Sequence, residues 1–304
     1  VKRDLVSFTL WSQQELSDIF TLACSIKTGE LQAYGPLVGR SAALVFEEES
    51  LRTRVSFEVG IAQLGGHPIF LQHETIGMAT RESVHDIGLV LSRYCQLIIA
   101  RTTRHLTLVQ LAEGATVPVI NAMTDLVHPC QILADVLTLQ ELNSFSPSTK
   151  VVFLGPGNNI VNSWLEMAEK FPMHFVFSGP PGYEPHPSIL EQAQAAGISR
   201  IESLPDPVQA VTDADVIYTD VWPGLGGEET AAIREKLFKP YQVNPILLKY
   251  AKPECVVMHR LPANRGEEIT RDVLDGRQSV VLQQAENRLH VQKGIIGWLV
   301  EHGM

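Results

Sequence analysis

Several short polar clusters in this chain bring together arginine, small hydroxyl residues, a histidine and side-chain amides. Ser50-Leu51-Arg52-Thr53-Arg54 puts two hydroxyls and two arginines at the start of a predicted helix. A helix N-terminus offers unpaired backbone N–H groups and a partial positive charge, so it receives phosphate readily. Ser50 and Thr53 can add hydroxyl donors, and an arginine adds a charge-assisted fork. Arg101 closes an apolar run at 96–100, and Arg288 sits in Glu286-Asn287-Arg288 at the start of the last predicted helix. His128-Pro129-Cys130-Gln131 opens another helix, with Pro129 suited to its first turn and His128 and Gln131 three apart on one side. Taken singly, each reads as a cap, a core histidine or a solvated charge. Taken together, they suit a small phosphorylated acyl compound. Arginines hold its phosphate, His128 and a threonine hydroxyl donate to a carbonyl oxygen as it becomes an oxyanion, and the amide of Gln131 holds an NH2 group. No serine or cysteine nucleophile with a paired base stands out, so direct attack by a bound amine is expected.

Two further loops follow predicted strands. Gly155-Pro156-Gly157-Asn158-Asn159 invites comparison with a dinucleotide fingerprint, but the third glycine is replaced by Ile160. The next strand ends in Phe177-Ser178, with no acid there for a ribose, so a nicotinamide cofactor is not expected. In Asp220-Val221-Trp222-Pro223-Gly224-Leu225-Gly226-Gly227, Asp220 could hold a cationic amine, or it could be a turn residue before a glycine-rich loop.

The elements that must position these residues alternate in the α/β manner. Strands are predicted at 41–46, 68–71, 96–100 and 117–121, with helices at 13–27, 54–64, 83–93, 106–113 and 129–142. A connector of turn residues, 143–148, precedes a second series. Its strands fall at 150–154, 174–177, 216–219 and 255–258, and its helices at 159–170, 188–196 and 229–236. A long helix at 285–300 could pack back on the first series. The expected domains are 1–142 and 150–284, with 285–304 returning to the first. In parallel α/β sheets, ligands bind beyond the carboxyl ends of the strands, and several predicted strands run directly into the polar clusters.

With 304 residues, the chain has length for two cores. A formal net charge of −10 argues against broad nucleic-acid binding and against docking on anionic membranes, while leaving a few arginines free to set a local field. No apolar run approaches the roughly 18 residues of a membrane span, and the start of the sequence lacks a signal peptide's apolar core. Cys24, Cys95, Cys130 and Cys255 form no CxxC pair, which reads as reduced thiols in a cytoplasmic protein. No HExxH occurs, and no metal is indicated.

These residues also carry a resemblance. Ser50-Leu51-Arg52-Thr53-Arg54 is similar to the S-T-R-T-R loop of the aspartate/ornithine carbamoyltransferases, and Ser56-Phe57-Glu58 and Leu64-Gly65-Gly66-His67 follow as expected. His128-Pro129-Cys130-Gln131 with Leu133-Ala134-Asp135 resembles H-P-x-Q-x-L-A-D. Gly157-Asn158-Asn159 with Asn162-Ser163 resembles G-N-N-x-x-N-S of the ornithine branch. His259-Arg260-Leu261-Pro262 and Glu286-Asn287-Arg288 resemble H-C-L-P and E-N-R. The similarity runs from about residue 5 to residue 300.

The resemblance implies two α/β domains, each with a mostly parallel sheet flanked by helices, an active site in the cleft between them, and a cytoplasmic homotrimer with shared sites. It implies carbamoyl phosphate held by Ser50, Leu51, Arg52, Thr53, Arg101, His128, Gln131 and Arg288, with backbone groups at Arg260 and Leu261 on the carbamoyl NH2. Ornithine would be held by Asn159 and Asp220, with Gly224 and Leu225 in the loop beyond. Arg101, His128 and Arg260 would stand nearest the chemistry. Carbamoyl phosphate would bind first, and neither cofactor nor metal is implied.

Three departures touch the acceptor or its surroundings. Arg260 stands where the branch has cysteine, Gly224-Leu225 where it has Ser-Met, and Thr75 where a glutamine reaches carbamoyl phosphate from the neighbouring subunit. The serine-to-Leu51 change is milder, because that position contributes mainly backbone. A guanidinium at 260 is permanently charged. It could favour an acidic or acylated amine; alternatively it points away, and ornithine is still used through Asp220 and Asn159. Other acceptors, such as putrescine, and a non-catalytic carbamoyl phosphate-binding protein stay open.

Overall fold

The computed structural model describes residues 2–31, 33–223 and 228–303. The chain divides into two compact units, 1–137 with 286–304, and 138–285.

The first unit opens with α1 (Gln13–Thr28), β1 (Ser41–Phe46), α2 (Leu51–Gln63), β2 (His67–Gln72), α3 (His73–Ile76) and α4 (Val84–Leu91). It continues through β3 (Leu97–Arg101), α5 (His105–Gly114), β4 (Val119–Met123) and α6 (Pro129–Glu141), whose last turn belongs to the second unit. The four strands are parallel, in the order β2-β1-β3-β4. β1 and β3 are almost wholly buried, as expected of parallel strands covered on both faces by helices. Ala43, Val45, Ile98, Ala100 and Val119 pack there against Leu108 and Leu111 of α5.

The second unit holds β5 (Lys150–Leu154), α7 (Asn159–Ala168), β6 (His174–Ser178), α8 (Pro187–Ala196), β7 (Arg200–Ser203) and α9 (Pro207–Val211). Then come β8 (Val216–Thr219), α10 (Glu228–Phe238), α11 (Pro245–Leu248), β9 (Val256–His259), α12 (Arg271–Leu274) and the first residues of α13 (Val281–His302). Its five strands are parallel, in the order β7-β6-β5-β8-β9. Val152, Leu154, Val176, Ile217 and Val257 form the centre of its core.

In each sheet the chain winds outward one way and then reverses, giving a switch point between β1 and β3 and another between β5 and β8. Loops leaving neighbouring strands part company at such a point and open a crevice at the strand ends.

Some local results differ from the sequence reading. α2 starts at Leu51, not at 54, because Ser50 is its N-cap and its side chain accepts from the Thr53 N–H. Leu51, Arg52 and Thr53 therefore form the first turn. α13 starts at Val281, so Arg288 lies well inside the helix and works through its side chain alone. β7 was not anticipated; it is a short edge strand with exposed ends, and it lacks the apolar run that marks its neighbours.

Candidate active site

In the first unit the register aligns Phe46, Arg101 and Met123 at the carboxyl ends of β1, β3 and β4. The residues beyond these ends come from three loops. Ser50 Oγ donates to Thr53 Oγ1 at 2.9 Å, and the buried Arg288 guanidinium donates to the same oxygen at 2.8 Å. Thr53 is fully buried, so this small network fixes the N-terminus of α2 and brings a cation to it, an arrangement that can receive an anion. The Leu51 side chain is 75 % exposed, which leaves that position's first-turn backbone as its contribution. Arg52 shares this first turn.

Arg101 reaches across the switch point to Glu48, with N···O at 3.2 Å, and Glu47 accepts from the Thr103 N–H. His128 is buried and directly precedes α6. Gln131 donates from Nε2 to Asp135 Oδ1 at 2.8 Å, one helical turn on. That bond settles which end of the amide is which, and leaves the buried Oε1 without a hydrogen-bond partner among the described residues, a place for an N–H donor. Between these two residues, burial pushes the Cys130 thiol up to about 12, against the pull of the Arg288 charge, so Cys130 is no nucleophile. Thr75 lies on α3, exposed, with its hydroxyl donating to the Gln72 carbonyl.

The second unit repeats the arrangement at its own switch point. Asn158 caps α7, and its Nδ2 donates to Asp220 Oδ2 at 2.8 Å. Arg260 Nε donates to the same Oδ2 at 2.7 Å, and Oδ1 accepts from the Val221 N–H. Arg260 therefore turns toward Asp220; the alternative in which it points away is not the one observed. Asn159, the first residue of α7, is buried beside Asn158. Gly224 and Leu225 lie outside the described residues.

The backbone after β9 is held in an uncommon shape. Leu261 has φ of 58° and precedes a cis peptide bond to Pro262. Its N–H donates to His259 Nδ1 at 2.9 Å, so the other ring nitrogen carries the proton and donates to Glu268 at 3.0 Å, a buried pair. A non-glycine residue with positive φ survives only where its surroundings impose it. Here His259 and Glu268 impose it at the residue expected to meet a carbamoyl NH2.

Asn158 and Glu268 were not singled out in the sequence. Asn158 carried the signal of a cap residue before a helix; Glu268 carried none, because its partner lies in another element. The Gly155-Pro156-Gly157 turn also finds its reason. Gly155 has φ of 131°, which side chains disfavour, and a Cβ on Gly157 would stand 2.3 Å from the Glu184 backbone, so the first glycine serves the turn and the second serves packing. Among the described residues, no cluster of histidine, cysteine and carboxylate could hold a metal ion.

Residues 3–141 match the carbamoyl-P binding domain of the aspartate/ornithine carbamoyltransferases, and residues 148–299 match their Asp/Orn binding domain. The chain belongs to the aspartate/ornithine carbamoyltransferase family. An ornithine carbamoyltransferase of Chlorobaculum tepidum is 45% identical over 99% of this chain and 90% of its own length. One from Syntrophus aciditrophicus is 44% identical over 99% of this chain and all of its own. The solved ornithine carbamoyltransferase of Pyrococcus furiosus superposes with a TM-score of 0.94 at 42% identity, covering 99% of both chains. Membership fits the element order, and it makes the two parallel sheets flanked by helices a family property.

Proposed function

We propose that the protein is an ornithine carbamoyltransferase, which moves the carbamoyl group of carbamoyl phosphate to the side-chain amine of L-ornithine and releases citrulline and phosphate, in arginine metabolism. The observation that carries this reading is the α2 N-terminus, where Ser50, Thr53 and the buried Arg288 form one hydrogen-bonded network. Such a network suits an acyl phosphate's dianion. Arg101 and Arg52 add charge. Gln131 Oε1 and the Leu261 backbone suit the carbamoyl NH2, and His128 suits its carbonyl oxygen. Asp220, Asn158 and Asn159 suit the amino-acid part of the acceptor.

The chemistry is then a direct displacement. The neutral side-chain amine attacks the carbamoyl carbon, the carbonyl oxygen takes up negative charge facing His128 and arginine donors, and the C–O bond to phosphate breaks. Phosphate leaves with that electron pair and takes up the proton that the attacking nitrogen loses. Purified protein given carbamoyl phosphate should release phosphate and form citrulline only when ornithine is present. Phosphate release that is indifferent to ornithine would reject the reading.

The same reading takes the protein to work in the cytoplasm as a homotrimer with Thr75 near a neighbour's carbamoyl phosphate. No described helix is long and apolar enough to cross a membrane. In support of the trimer, Leu51, Val55 and Val59 form an exposed apolar stripe at helical spacing on α2. Next to it is a recess of about 360 Å³ lined in part by Phe70 and Arg54. Sedimentation at micromolar concentration should give about three times the chain mass. A single chain mass would remove this part of the proposal.

A further inference from the structure

Arg101 and His128, both proposed to meet carbamoyl phosphate, leave neighbouring strands, β3 and β4. How they face one another depends on how the loops beyond those strands are joined. The β3–β4 ladder slips by one residue at its carboxyl end: Ala100 pairs with Asn121, but Arg101 pairs with Met123. Such a bulge re-aims the chain that follows it. Beyond the bulge the two loops stay cross-linked. The Thr102 N–H donates to the Met123 carbonyl at 3.1 Å, the Asp125 N–H donates to the Thr103 carbonyl at 3.1 Å, and the His105 N–H donates to Asp125 Oδ1 at 2.8 Å. Asp125 thereby satisfies one of the free N–H groups at the start of α5, whose N-cap, Arg104, makes no side-chain capping bond.

A further cross-link joins two side chains. His105 Nδ1 stands 3.0 Å from Thr124 Oγ1, a hydrogen bond between a half-buried ring and a fully buried hydroxyl. Thr124 is the hub of the turn that delivers His128. Its Oγ1 accepts from the Leu126 and Val127 N–H groups, both at 3.3 Å, and its N–H donates to the Val127 carbonyl at 3.1 Å. His128 is the next residue, and Gln131 lies in the first turn of α6. We infer that His105 is a positioning residue for carbamoyl transfer: through Thr124 it fixes the turn at 124–127, and with it the placement of His128 relative to Arg101. The inference rests on the carbamoyl-transfer reading above and adds a residue to it. The Ser50, Thr53 and Arg288 network at the α2 N-terminus is built from other residues, so the clamp bears on geometry at the carbamoyl group more than on the hold on phosphate. A misplacement of about 1 Å can cost about 100-fold in rate.

The test measures citrulline formation by His105→Ala, His105→Asn and His105→Gln at saturating ornithine and carbamoyl phosphate. Calorimetric titration with carbamoyl phosphate alone counts the folded sites in each preparation and gives their affinity, so that kcat is expressed per folded site. In His105→Ala, kcat should fall by at least about 10-fold, while affinity for carbamoyl phosphate falls by less. An asparagine amide reaches the place of Nδ1 and can donate or accept there, so His105→Asn should return kcat to within about threefold of wild type. A glutamine amide reaches the place of Nε2 instead, and His105→Gln should stay at least about threefold below His105→Asn. A fall in kcat of less than about 10-fold in His105→Ala overturns the inference. So does a loss of affinity as large as the loss of kcat, which marks a general distortion of the site. Equal kcat in His105→Asn and His105→Gln also overturns it, and this comparison remains decisive if His105→Ala fails to fold. Failure of wild-type protein to make citrulline from ornithine is a separate result; it rejects the carbamoyl-transfer reading and this inference with it.

Discussion

On the proposed reading, much of the chemistry rests on single side chains, Arg288 and Glu48 among them. Arg288 is buried and committed to Thr53, so the charge it brings to the α2 N-terminus is oriented before any ligand arrives. Arg288→Lys keeps the charge and loses the planar fork. Its kcat/KM for carbamoyl phosphate should fall by roughly 10- to 150-fold, matching about 1.5–3 kcal/mol for a charged hydrogen bond. A loss under threefold would remove Arg288 from the phosphate-binding set. Glu48 works the other way, because it holds one guanidinium nitrogen of Arg101 for which the proposed phosphate would compete. Glu48 is well exposed, so its hold is weak. Glu48→Gln should lower the KM for carbamoyl phosphate by up to about fivefold. A raised KM would mean that Glu48 positions Arg101 rather than competing for it. At this scale the sequence was informative about residue types and poor about partners. Ser50, Thr53 and Arg288 could be picked out as a set, but nothing near Arg260 in the chain reveals that it faces Asp220, forty positions earlier.

Elements explain why those side chains stay where they are. Buried parallel strands read as short apolar runs, and the polar clusters begin where the runs stop, so β1, β3, β5, β8 and β9 were legible to within a residue or two. Helix starts were less so. α2 was placed too late because Leu51, Arg52 and Thr53 look like a loop until Ser50 is recognised as a cap. The edge strand β7 and the short helices α3, α9, α11 and α12 were missed, since elements of four or five residues depend on tertiary packing rather than on periodicity. Close packing of α4 on α5 makes a sharp prediction. A Cβ on Gly114 would stand 2.1 Å from the His85 carbonyl oxygen, and one on Gly88 would stand 2.6 Å from that of Leu111. Gly114→Ala should therefore destabilise the protein by about 1–3 kcal/mol, despite alanine's better helix propensity. Urea unfolding checks this, and unchanged stability would mean that the two helices can part without cost.

At the scale of the whole molecule, the two units solve one problem twice. Each has a parallel sheet with a reversal of winding, and in each an arginine at one strand end pairs with a carboxylate from the loop of a neighbouring strand: Arg101 with Glu48 across the reversal itself, and Arg260 with Asp220 between β9 and β8, one strand beyond it. Each arginine is thus held by an internal anion. The alternation of elements made two α/β units expected; which strands neighbour one another was not, because sheet order depends on crossovers that leave no local mark. The central claim is that the carbamoyl group passes directly from phosphate to an ornithine nitrogen. It is tested most directly by mixing excess protein with carbon-13-labelled carbamoyl phosphate and ornithine and following the label by NMR through a single turnover. The account predicts that the label moves straight into the ureido carbon of citrulline, with none held on the protein at any time. Label held covalently on a protein side chain, or lost from carbamoyl phosphate with no citrulline formed, would contradict it.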